Sequence, residues 1–147
     1  MKFEEAKIGR VFVIRLEDGE ILHEQIEKFA RENKINRASL LILGGADKGS
    51  ILITGPRESR TETIDPMETA LNDTHEAVGV GTVFPDEEGN PVLHMHISCG
   101  RSDKVITGCV RKGVKAWHFL EIILTEITDC NSIRKRDILT GFNILEP

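Results

Sequence analysis

The stretch best suited to chemistry is Pro91–Gly100, PVLHMHISCG, which carries two histidines on either side of a methionine. Successive side chains of a strand point to opposite faces, so this stretch divides into two sets. The set that is predicted to face the core consists of Leu93, Met95, Ile97 and Cys99. The other set brings the imidazoles of His94 and His96 to about 7 Å from each other, at a strand rise of about 3.3 Å per residue. This spacing is close enough for the two rings to hold one small ion or ligand.

A third donor, Cys109, lies on the next predicted strand, and its position depends on the hairpin turn between the two strands. A four-residue loop over Gly100–Asp103 would place Cys109 opposite His94. A two-residue turn at Ser102–Asp103 would place it opposite His96 instead. A loop of odd length would turn the thiol to the other face of the sheet, because a slip of one residue exchanges the two faces.

Two imidazoles and one thiolate are donors that suit Zn²⁺, with a fourth position left for water or for another side chain. His118 and His75 are the other histidines considered for that position. His118 shares its predicted strand face with apolar residues, which favours a packed core histidine. His75 begins a strand and is a weaker candidate. The HxH pattern alone is also typical of two surface histidines with no ligand.

The same donors are compatible with a small metal-dependent enzyme. Zinc would lower the pKa of a bound water toward about 7, and a carboxylate such as Glu76 or Glu121 would carry the proton. The sequence has no HExxH motif, and it assigns no catalytic residue.

The elements that must position these residues are predicted to be strands joined by short turns, with one clear helix. Short turns favour antiparallel pairing, so one β-rich domain over residues 1–147 is expected. The helix is predicted from about Glu20 to Asn33, with Asp18 as its N-cap. The glycine-rich loop Gly44–Gly49 lacks the spacing of a phosphate-binding loop and predicts a hairpin. The strands are predicted at residues 10–16, 38–43, 50–54, 61–64, 77–83, 91–99, 104–110 and 114–127.

Charge and composition exclude several classes of protein. The chain has 19 basic and 24 acidic residues, a net charge of -5, which argues against a broad phosphate-binding surface. Two basic groups, Arg111–Lys112 with Lys115 and Arg134–Arg136, are interpreted as solvated charges at strand ends. The acidic start of the chain is not a secretory signal, and no apolar run is long enough to span a membrane. Three cysteines without a disulfide spacing fit a reducing compartment, so a cytoplasmic protein is predicted.

The chain resembles the plants-and-prokaryotes conserved (PPC) domain, which also occurs in plant AT-hook nuclear proteins. The resemblance runs over nearly the whole sequence, in the form of the stand-alone archaeal and bacterial members without an AT-hook. The segments that carry it are Gly9–Leu16 with the helix that follows, Gly45–Ser50, Val92–Ser98, Thr107–Cys109, Leu124–Ile127 and the tail Ile133–Leu145.

The resemblance implies an α+β fold, a mostly antiparallel sheet with one or two helices packed on it, assembled as a homotrimer. It also implies a divalent metal, zinc being the expected one, near the HxHxS strand at a site sheltered between subunits. The family offers a third histidine where this chain has Cys109, and the metal ligands expected here are therefore His94, His96 and Cys109.

The function expected from the sequence is that of a metal-binding trimer that acts as an assembly or interaction module. A metal-dependent enzyme and a DNA-associated regulator are the alternatives. No AT-hook is present, so direct nucleic-acid binding is not expected, while a small-molecule ligand remains open.

Overall fold

The computed structural model describes residues 1–60 and 64–147, and this part of the chain forms ten strands and one α-helix. Eight strands make one antiparallel sheet in the order β1-β8-β2-β5-β6-β7-β3-β4, and the last two form a separate hairpin. The elements are β1 Lys7–Glu17, α1 Leu22–Glu32, β2 Ala38–Ala46, β3 Ile51–Pro56, β4 Pro66–Ala70, β5 His75–Pro85, β6 Pro91–Arg101, β7 Lys104–Val110, β8 Ala116–Thr128, β9 Ile133–Arg136 and β10 Asn143–Glu146. The prediction of an α+β fold with mostly antiparallel pairing is confirmed.

The hydrophobic core lies between one face of the sheet and helix α1. Leu22, Ile26 and Ala30 recur along one side of the helix and are completely buried. From the sheet, Met95 and Leu120 are also completely buried. The alternating burial along β6 therefore follows the predicted division, with the odd-numbered residues in the core.

The start of the helix differs from the prediction. It begins at Leu22, with Ile21 at the N-cap position and no side-chain cap. Asp18 instead accepts a hydrogen bond from the backbone N–H of His118 at 2.7 Å. Asp18 therefore ties the β1–α1 connection to the start of β8, a contact between residues one hundred positions apart that helix patterning does not predict.

The glycine-rich loop does not close a hairpin, which corrects the prediction. It connects β2 to β3, but β2 pairs with β5 and β8, while β3 pairs with β4 and β7. The loop is held instead by the segment before β8: the N–H of Asp47 donates to the carbonyl of Lys115 at 2.9 Å. The hairpin fails because both edges of β2 are already occupied by longer strands.

The edge strand predicted at residues 61–64 falls mostly outside the described residues. One of the two edge strands of the sheet, β4, begins shortly after this segment and pairs with β3.

Candidate metal centre

The turn between β6 and β7 decides which histidine faces the cysteine. Arg101 pairs with Lys104, so the turn has two residues, and Ser102 takes a positive φ of 55°. Counting back along the pair places His96 directly opposite Cys109. Of the three registers that the sequence leaves open, the structure has the two-residue turn, and this keeps the thiol on the face of the imidazoles.

The three predicted ligand residues come together. One donor atom from each of His94, His96 and Cys109 lies within 4.8 Å of the other two. His94 is half-buried, His96 is exposed, and Cys109 is buried, with 6% of its surface accessible. Gly108, beside the cysteine, lets β3 approach closely, because a Cβ there would lie 2.7 Å from the carbonyl oxygen of Ile53.

The separation of the imidazole nitrogens fits a tetrahedral zinc ion. Nε2 of His94 and Nε2 of His96 are 3.3 Å apart. Zn–N bonds of about 2.0–2.1 Å at the tetrahedral angle place two ligand nitrogens about 3.3–3.4 Å from each other. The rings also meet edge to face, with centroids 5.2 Å apart. The residues present therefore fit a metal with nitrogen and sulfur ligands, although the same geometry allows a hydrogen bond between the rings.

The protonation of His94 also suits a ligand. Burial lowers the pKa of His94 below its usual range, and the positive charges of Arg134, His96 and Arg111 lower it further. A lowered pKa favours the neutral imidazole, which is the form that binds a metal.

The other two histidines considered do not join this group. His75 is buried, and its Nδ1 lies 2.8 Å from the carbonyl oxygen of Asp73. It lies five residues along β5 from Val80, the residue that pairs with His96, or about 17 Å at the usual strand rise.

His118 is exposed, which corrects the prediction that it packs in the core. The pairing of β2 with β8 shifts between Gly44 and Gly45, and His118 takes a φ of 58° there. Trp117, His118 and Phe119 are consecutive exposed residues as a result. A bulge of this kind interrupts the alternation of faces on which the prediction was based.

The carboxylates suggested as proton carriers lie away from the cluster. Glu76 pairs with Gly100, four residues along β6 from His96, or about 13 Å. Glu121 is on β8, which is separated from β6 by β2 and β5 in the sheet. The position of these groups gives no support to their suggested role.

One residue beside the cluster, Arg134, was not predicted from the sequence as part of the site. Arg134 was interpreted as a solvated charge, but only 4% of its surface is accessible. It lies on β9, and the hairpin of β9 and β10 places it beside Thr82, to which its guanidinium donates a hydrogen bond at 2.9 Å. Arg111 and His94 line the same cavities as Arg134. The segment Ile133–Arg136 has one apolar residue followed by three basic ones, so it carries no local signal for burying one arginine.

The buried thiol of Cys99 is expected to be unreactive in the folded protein. Its surface is fully inaccessible, and burial raises the pKa of the Cys99 thiol to about 11. Compared with an ordinary thiol pKa of about 8.5, this lowers the thiolate fraction at pH 8 by at least about 100-fold. Titration with a thiol reagent should leave Cys99 unmodified until denaturant is added, while Cys130, which is partly exposed, reacts first. Peptide mapping that finds Cys99 labelled as fast as Cys130 would contradict the burial.

No helix among the described residues combines the length and the apolar character needed to cross a membrane.

The sequence pattern of the Plants and Prokaryotes Conserved domain matches residues 3–128. No curated protein matches the chain. Among solved structures, the metal-containing protein from Archaeoglobus fulgidus is 22% identical, with a TM-score of 0.86 and full coverage of both chains. A plant- and prokaryote-conserved protein from Pyrococcus horikoshii is 23% identical, with a TM-score of 0.84 over 100% of this chain and 98% of its own.

A protein from Bacteroides thetaiotaomicron, provisionally named as DNA-binding, is 16% identical and has a TM-score of 0.77 over 96% of each chain. That name does not fit the expectation that nucleic acid is not bound directly. At these identities the likeness shows the fold alone. The match of the family pattern over residues 3–128 confirms the predicted resemblance to the PPC domain.

Proposed function

The chain belongs to the Plants and Prokaryotes Conserved domain family, and from this premise we propose that it is a homotrimeric zinc-binding protein whose role is assembly. His94, His96 and Cys109 would hold the metal. The observation that carries the proposal is the 3.3 Å separation of the two imidazole nitrogens beside the buried thiol. When bound, zinc would tie β6 to β7 and supply a fourth coordination position. The metal-containing protein from Archaeoglobus fulgidus shares this fold, which supports a metal here.

The apolar outer face of the sheet supports assembly. One row of directly paired residues crosses six strands: Val13, Ile123, Leu41, Val80, His96 and Cys109. The first four of these are apolar, and their exposed fractions range from 37% at Ile123 to 83% at Val13. A continuous exposed apolar patch on a sheet is typical of an interface between proteins.

The position of the metal ligands at the end of this row supports a link between metal and assembly. A neighbouring copy that covers the apolar face would also cover the exposed side of His96. Three is the number of copies that the family resemblance implies. In this arrangement the metal would be sheltered between subunits and would stabilise the interface.

The test is elemental analysis of the purified protein with the mass measured in the same run. We expect about one zinc per chain and the mass of three chains. Removal of the metal by a chelator should shift the assembly toward smaller species, because a structural metal contributes directly to the stability of what it holds. A protein that contains no metal, and takes none on dialysis against zinc, would contradict the metal site. A monomer that carries zinc would contradict the proposed trimer but not the proposed metal site.

A cavity beside the ligands favours a second candidate, a small metal-dependent enzyme. It has a volume of about 1030 Å³ and is lined by His94, His96 and Cys109 together with the tail residues 138–145. Its lining among the described residues includes no carboxylate that would serve as a general base. The assembly role therefore has the stronger support.

A further inference from the structure

The cavity beside His94 is lined by a buried arginine, Arg134, that has an N–H group without a hydrogen-bond acceptor in residues 1–60 and 64–147. Arg134 donates to Oγ1 of Thr82 at 2.9 Å and to the carbonyl oxygen of Asn143 at 3.5 Å. Its Nε is buried and has no hydrogen-bond partner among the described residues. Its guanidinium also lies 5.8 Å from the ring centroid of Phe84. Buried N–H groups are nearly always paired, so an orphan here indicates a missing acceptor.

The cavities beside His94 are lined by more positive than negative side chains. Arg111 and Arg134 both line the cavity of about 1030 Å³, and neither forms a salt bridge within the described part of the chain. The third cation of the cavity, Lys112, is already paired with Glu68 at 3.3 Å. A second cavity, of about 330 Å³, shares both arginines and adds Glu27. Glu27, on helix α1, accepts a hydrogen bond at 3.0 Å from the N–H of Leu93 on β6.

Arg111 and Arg134 line the same two cavities. Burial lowers the pKa of Arg134, and the charge of Arg111 lowers it further. A buried cation without a counter-ion is costly, and a second cation nearby adds to that cost. Planar guanidinium groups bind the oxygens of carboxylates and phosphates in pairs, so an oxyanion would satisfy both the charge and the free N–H groups.

We propose that Arg111 and Arg134 form a binding site for a small oxyanion, a carboxylate or phosphate group, in the cavity beside His94. The recognition comes from the two guanidinium forks and does not depend on a metal. A small anion fits better than a nucleic-acid backbone because the cations lie in a concave cavity of a chain with net charge -5. The same oxyanion chemistry could come from a free ligand or from a carboxylate of a neighbouring copy.

The test is calorimetric titration with inorganic phosphate, and separately with malonate, at constant ionic strength. The titration is run on the native, assembled protein and repeated on protein stripped of metal, from which the chelator, itself a carboxylate, has been dialysed away. Arg111→Ala should weaken binding by about tenfold or more, as expected for the loss of a charge-assisted pair. Arg134→Lys keeps the positive charge but loses the paired N–H donors of the guanidinium, so it should also weaken anion binding. Arg31→Ala, on the exposed side of the helix, is the matched control and should leave binding unchanged.

The other outcomes either overturn the proposal or identify the source of the oxyanion. Equal binding by native protein and Arg111→Ala would place the anion elsewhere. If neither anion binds to the assembled protein but both bind to a dissociated form, a carboxylate of another copy is the occupant. If neither anion binds but a DNA duplex does, in a manner lost in Arg111→Ala, the arginines contact the phosphate backbone. Metal content, measured on the same samples, tests the zinc site separately.

Discussion

Replacing Cys109 with serine is expected to lower the affinity for zinc by at least about 100-fold. The change keeps the shape of this buried side chain closely, but it replaces the thiol that we propose as a zinc ligand with a hydroxyl, which is a poor zinc ligand. Loss of a direct ligand should cost at least as much as loss of an outer partner, which typically costs 10- to 100-fold. Competition against a fluorescent zinc chelator measures the change. His94→Ala should have a comparable effect.

Cys130→Ala is the matched control for this experiment, because Cys130 is a partly exposed cysteine outside the cluster. The zinc affinity of Cys130→Ala should equal that of the native protein. Should Cys109→Ser keep native affinity while His94→Ala loses it, the thiol is not a ligand, and the metal is held by the histidines alone. Native zinc affinity in both variants would contradict the proposed metal site.

If the chain forms the proposed trimer, replacing Leu41 with aspartate is expected to convert it into monomers. Leu41 is 47% exposed at the centre of the apolar row, where it pairs with Ile123 on one side and Val80 on the other. Burying an unpaired carboxylate in each of three interfaces costs several kcal/mol per site. We expect the midpoint concentration for assembly to rise by at least about 100-fold, measured by sedimentation over a range of protein concentrations.

The fold should survive this substitution, since the side chain is exposed in the single chain and a strand tolerates aspartate at a cost of about 1 kcal/mol. Lys28→Asp, which adds an acidic residue on the exposed side of the helix, is the control and should leave the proposed trimer intact. A trimer that persists in Leu41→Asp at the native concentration would show that copies meet through another surface. Zinc binding by the monomer would show that the metal site is complete in one chain.

Local patterns in the sequence were sufficient for most of the framework. The apolar spacing of Leu22, Ile26 and Ala30 predicts the buried side of the helix, because a helix repeats every 3.6 residues. The alternation from Pro91 to Cys99 predicts which residues of β6 face the core, and so places His94 and His96 together. Both predictions rest on the period with which a helix or a strand backbone turns successive side chains to one face.

Only the tertiary structure decided how those strands relate to each other. Cys109 lies opposite His96 because the turn at Ser102 has two residues, whereas a loop of four residues would place it opposite His94 and a loop of odd length would turn it to the other face. His118 turns outward because of a bulge against β2, a strand more than seventy residues away along the chain. Arg134 is buried because the last hairpin packs beside β5. Register, bulges and the burial of one charge depend on contacts between distant segments, and these contacts have no signature in the residues near each site.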